Sequence, residues 1–235
     1  MVVSRLRQAA MKAAMPDVYR VAPNLNGNVV RGTVTRAIQG GGPLQPAVAT
    51  AERALKEHGG DVERAVHEIV ESHVRLAASH GFVTNLGGLV TLAATIPVNI
   101  TGLALLQCRM VAAIAHVRGY NLADPRVRNA LLLCVIGEEA VGTLVRRKKL
   151  PGGPMTVATA PVHDPELDKV IAAEVTSALV GRVVGKHAGS AMIRRIPFAG
   201  GVYGAGSDAY STWQVGRYAG RELRLRPMTR LVADA

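Results

Sequence analysis

His67, Glu68 and Glu71 are spaced like the opening of a metallohydrolase helix, in which two histidines one turn apart hold zinc and a glutamate moves the proton. Position 71 carries glutamate instead of the second histidine, so the pattern reads as a solvated helix face, and no metal is expected. His73 and His80 fall on the same helical stretch, and packing or hydrogen bonding is the expected role for both. The segment 181–187 imitates a phosphate loop, but only three residues separate Gly181 from Gly185, and His187 rather than Ser or Thr follows Lys186. Gly204 and Gly206 lack both the third glycine of a dinucleotide fingerprint and a preceding strand. Cys108 and Cys134 stand alone in apolar helical sequence, which suits neither a disulfide framework nor a metal site. No nucleophile–base triad or carboxylate pair can be argued from the spacing. The expectation is a protein without cofactor and without an identifiable catalytic residue.

Arg109 is the residue that asks most of its surroundings. It is the first charge after residues 76–108, a run of 33 without Lys, Arg, Asp or Glu, and it sits inside a nearly continuous apolar helix. A buried guanidinium left unpaired costs several kcal/mol, so an anion must be found. Glu138 and Glu139, equally isolated in the following helical segment, are the expected partners of a structural ion pair. Without that pair, Arg109 is free to hold the head group of an amphiphile or to snorkel to a phospholipid. Asn99, Gln107, Arg109 and His116 are therefore the candidate ligand or lipid contacts.

Helices must position these residues. Periodicity predicts helices over 29–38, 46–58 and from Asp61 to Gly81, with Asp61 as N-cap, and a further one over 97–118 with Pro97 in its first turn. Asp124-Pro125 starts a helix read as continuous to Val145, and Asp164-Pro165 starts another that runs toward Arg195. Gly181, Gly185 and Gly189 recur at every fourth residue, a stripe that lets helices approach closely, and Gly200/Gly204 and Gly216/Gly220 repeat the spacing. No stretch alternates with period two. The expected fold is all-α, a multi-helix bundle with a Gly/Ala-rich apolar helical hairpin around Pro97.

The uncharged run is long enough to cross a bilayer, yet Asn85, Gly87, Gly88, Pro97 and Asn99 interrupt it, so a plain anchor is not expected. Aromatics make up 3% of the chain, which leaves nucleic acid few stacking platforms, and none is expected as a partner. The net charge of +11 is concentrated at the two ends and just after the uncharged run, and it suits an anionic membrane surface. Residues 1–15 are basic and lack the apolar core of a secretory signal, so the protein is expected in the cytoplasm or on the inner membrane face.

The strings HVRLAASHGFVTNLGG (73–88), IPVN (96–99), RMVAAIA (109–115), RGY (118–120) and DP (124–125) together resemble the EcsC family of bacterial proteins, in an actinobacterial style. RAIQGGGP (36–43) and IPFAGG (196–201) are similar to the segments that flank the family's motif. The likeness implies one helical domain over 29–225, between a basic tail at 1–28 and a C-terminal tail at 226–235. The family is named after a component encoded beside an ABC transporter and brings no active site with it. It thus implies a membrane-associated helical accessory protein linked to transport or envelope processes, with a lipid, an anionic membrane or a protein at the membrane as partner, and oligomerisation open. The alternative is a soluble helical protein that binds a lipid or other apolar ligand in a Gly/Ala-lined pocket.

Overall fold

The computed structural model describes residues 27–41, 45–86, 92–190 and 199–224, without the side chains of 29, 80–86, 92–101, 180, 182–190 and 199–205. The described residues form helices and no strand, as the absence of period-two alternation implies. They are α1 (Gly27–Gln39), α2 (Ala47–Glu57), α3 (Val62–Leu86), α4 (Leu92–Val117), α5 (Pro125–Ile136), α6 (Glu138–Arg146), α7 (Pro154–Ala158), α8 (Pro165–Ser190) and α9 (Ala199–Glu222). Residues 1–26 of the expected basic tail, the Gly87-Gly88 interruption and the C-terminal tail lie outside the described residues, and α1 takes in the last two positions of the basic tail.

Capping chemistry fixes the starts. Asp61 Oδ1 accepts from the backbone N–H of Glu63 and Arg64, at 3.0 and 3.1 Å. Asp124 does the same for Arg126 at 2.8 Å, and Asp164 for Glu166 at 2.9 Å. Each satisfies a donor that the first turn of a helix leaves open.

Two boundaries differ from the sequence expectation. Pro97 lies in the second turn of α4, because the helix begins at Leu92 rather than at the proline. The segment read as one helix from Asp124 to Val145 is broken at Gly137, whose φ of 86° only glycine adopts readily, and α6 restarts in a new direction. The Pro/Gly linker after α6 also holds the short helix α7, with Pro154 in its first turn.

The core is built around α4. Met110 to Ala115 are all buried, so this helix is enclosed on every side. It packs against α1, α2, α3, α5 and α9 and touches α8. The all-round apolar character of its second half is therefore answered by protein. Small side chains make this possible: Ala51, Ala54, Ala65, Ala112, Ala113 and Ala115 let the neighbours draw close. Outside α4, α3 and α9 form the most extended pair and run antiparallel. Gly216 faces Val70, and one turn further along α9, Gly220 faces Val66. Met110 of α4 also reaches Gly216, which places residues 70, 110 and 216 at one level of the bundle.

Candidate functional site

Gln107 and Arg109 project from α4 into the interior. Gln107 is buried, and its Nε2 donates to Ser211 Oγ at 3.3 Å and Thr212 Oγ1 at 3.2 Å, both on α9. Arg109 is only 8% exposed, and its Nη2 donates to Thr50 Oγ1 on α2 at 2.8 Å. Its Nε is buried without a hydrogen-bond partner among the described residues. Burial and the nearby Arg53 guanidinium both push the Arg109 pKa down.

The expected ion pair with α6 is not the one formed. Glu138 pairs with Arg221 of α9, and Glu139 is exposed. The cause is the break at Gly137: α6 turns its first residues outward, whereas Arg109 faces α2. No carboxylate among the described residues lies within ion-pair distance of Arg109.

His73 of α3 completes the polar layer and is 1% exposed. The Ile69 carbonyl lies 2.7 Å from Nδ1, so Nδ1 carries the proton and donates. Nε2 is then a bare acceptor, buried and without a hydrogen-bond partner among the described residues. Burial drives the His73 pKa down to about 4, with the charges of Arg109 and Arg53 acting in the same direction against the bond to Ile69.

Of the other candidates, His116 is half-buried in the last turn of α4, and the side chain of Asn99 lies outside the described residues. Gly181, Gly185 and Gly189 all belong to α8, but what packs over the last two is not described. Among the described helical glycines the tight contact between helices is at Gly216. His67 and Glu71 pair at 3.0 Å on the exposed face of α3. Burial pushes the Cys108 thiol up to about 12 and raises Cys134 as well, so neither is a thiolate near neutral pH. Among the described residues no three His, Cys, Asp or Glu side chains gather as metal ligands.

Sequence reasoning missed Thr50, Ser211 and Thr212 as partners of the α4 residues, since nothing in their local pattern separates an inward hydroxyl from a solvated one. It also missed the pair of Arg118 with Glu63, at 2.9 Å, which ties the end of α4 to the start of α3. Arg118 is itself buried, and a charge in the last turn of an apolar helix was the available signal.

Beyond the polar layer the bundle changes character. The antiparallel register puts the C-terminal end of α3 beside the N-terminal end of α9. The chain returns from α3 into α4 across residues 87–91, and from α8 into α9 across residues 191–198. The end of α3 and the start of α9 thus belong to this region. In sequence there is no acidic residue between Glu71 and Asp124, and none between Glu174 and Asp208. The first of these stretches is uncharged over 76–108, and the second holds Arg182, Lys186, Arg194 and Arg195.

These features define an all-α helical protein with a polar layer inside the bundle. Residues 50–228 match the EcsC protein family, and the chain belongs to that family. No curated protein and no solved structure gives a match. Among the described residues no helix is long and apolar enough to cross a membrane.

Proposed function

We propose that the protein is a non-enzymatic helical accessory protein that associates with an anionic membrane surface at the inner face of the cell membrane. The observation that supports this is the partition of charge in the sequence: residues 76–108 carry no charge, and residues 175–207 carry four Lys or Arg and no Asp or Glu. The ends of α3 and α9 that these stretches reach share one end of the bundle. Apolar area gains by entering the acyl boundary, basic side chains are drawn to anionic head groups, and a carboxylate there would be repelled. The end inserts without spanning, as part of a transport or envelope assembly. Phosphatidylglycerol vesicles are expected to sediment the full chain at low salt and to release part of it as salt screens the basic residues. Protein that stays in the supernatant with such vesicles at low salt would sink the proposal.

Arg109 favours a second reading, an internal site for an amphiphile whose anionic head meets the guanidinium. Native mass spectrometry of detergent-free protein then shows a co-purified acidic lipid that Arg109→Met loses. The same substitution removes a buried charge that lacks a carboxylate, so it should stabilise the ligand-free fold by about 1 kcal/mol in urea titration. Destabilisation by a similar amount would mean that Arg109 is paired within the fold, which removes the support for this reading.

A further inference from the structure

The exposed aromatic residues of α9 lie where the bundle changes from mixed charge to acid-free sequence. Trp213, the chain's single tryptophan, is 41% exposed, and Tyr210 is 60% exposed. Their rings stack with centroids 5.9 Å apart and planes inclined by 23°. Arg217, one turn beyond, holds its guanidinium 4.9 Å from the centre of the Trp213 ring. Two large rings left half in water gain nothing from the core, and a stacked pair with an arginine beside it is arranged for a boundary between apolar and wet surroundings.

The register places that boundary. With Gly216 opposite Val70, Tyr210 falls level with Leu76 of α3, which is itself 49% exposed. The bond from Gln107 to Thr212 puts the buried layer of Gln107, Arg109 and His73 at nearly the same height. The acidic residues of α3, Glu63, Glu68 and Glu71, all lie on the other side of this level. On α9 only Asp208 lies past it, and that side chain is buried. From Leu76 to the end of α3, and from Tyr210 back to the start of α9, the helices extend about 15 Å. One leaflet of a bilayer's hydrocarbon core is also about 15 Å deep.

Resting on the membrane reading above, we infer that Tyr210 and Trp213, with Leu76 and Arg217, form an interfacial anchor that seats the end of the bundle reached by α3 and the start of α9 in one leaflet of an anionic bilayer. Trp213 then lies at the boundary between head groups and acyl chains, and the helix ends reach toward the midplane. The depth of insertion is set by the aromatic pair, and Arg217 beside it is drawn to the lipid charge.

The single tryptophan makes the test direct. The full chain is mixed with phosphatidylglycerol vesicles carrying bromine at a shallow or at a deep acyl position, and Trp213 emission is recorded. The anchor predicts a blue shift and stronger quenching by the shallow bromine. Trp213→Ala should weaken vesicle binding by about ten-fold, the loss of a partly buried aromatic, while Trp213→Phe should retain most of it. An unchanged circular dichroism melt shows that the variants are folded. Vesicle sedimentation without any change in Trp213 emission overturns the anchor but leaves membrane association standing. Deep quenching in place of shallow overturns the assigned depth. Absence of vesicle binding removes both.

Discussion

Gly216→Val is expected to destabilise the fold by roughly 3 kcal/mol, the upper end of what overpacking costs. A Cβ placed on Gly216 would stand 2.8 Å from both methyl groups of Val70 and 3.3 Å from Met110 Sδ. Val70 is stiff at χ1 and both its methyl groups are in the way, so relief comes by shifting α3 against α9, whereas the flexible Met110 side chain can give the little it must. Even Gly216→Ala should lose stability, although alanine is the better helix former by about 1 kcal/mol. The decisive comparison is with Gly220 on the same helix. Its added Cβ would meet Val66 at an ordinary 3.9 Å, so Gly220→Ala should stabilise by a few tenths to about 1 kcal/mol. Urea melts of the three variants measure the two signs. Val70→Ala, which opens the space, should recover part of the Gly216→Ala loss in a double-mutant cycle. Equal effects at 216 and 220 would mean that α3 and α9 are not in the contact seen here.

That pair of glycines shows how far the sequence could be read. Their four-residue spacing announces a small-residue stripe, but only the neighbouring helix decides which of the two is in contact. Helix identity and starts were legible, because Asp61, Asp124 and Asp164 announce their caps by local chemistry. The break at Gly137 was hidden, since glycine inside an apolar period is compatible with a continuing helix until packing bends it. The inward placement of Gln107 and Arg109 was legible from their isolation in an apolar helix. Their partners were not: Thr50 is more than fifty positions from Arg109 and Thr212 more than a hundred from Gln107, and no local pattern links them. The acid-free character of two segments was plain in the composition. That the end of α3 and the start of α9, one in each segment, lie at one end of the molecule emerged only from their antiparallel register.

Acidification should unfold this protein earlier than its surface carboxylates would dictate, and His73 is the reason. In the unfolded chain the imidazole takes a proton near its ordinary value of 6.5, whereas in the native core burial delays this to about 4. Above 6.5 both states are neutral and the histidine has no effect on stability. Between 6.5 and 4 the unfolded chain binds a proton that the native fold refuses, so stability falls as pH falls. Below 4 both states are protonated and the loss levels off. At about 1.4 kcal/mol per pH unit the window amounts to roughly 3 kcal/mol, a large share of a typical domain's stability. Asp124 acts in the same direction at lower pH, since the bond to Arg126 holds its carboxyl below the usual range and that stabilisation is lost on protonation. The two contributions are separated by His73→Gln, which fits an amide in the same space and cannot titrate. Urea unfolding at pH 7, 5.5 and 4.5 should show a steep decline for the natural chain and a shallow one for the variant. The charged groups that act on His73 are Arg109 on α4 and Arg53 on α2, both positive. Arg109→Met should therefore raise the His73 pKa and flatten the decline in part, read directly from the imidazole proton resonances. Parallel pH profiles for the natural chain and His73→Gln would show that the imidazole is not held neutral in the core, and the buried polar layer would have to be redrawn.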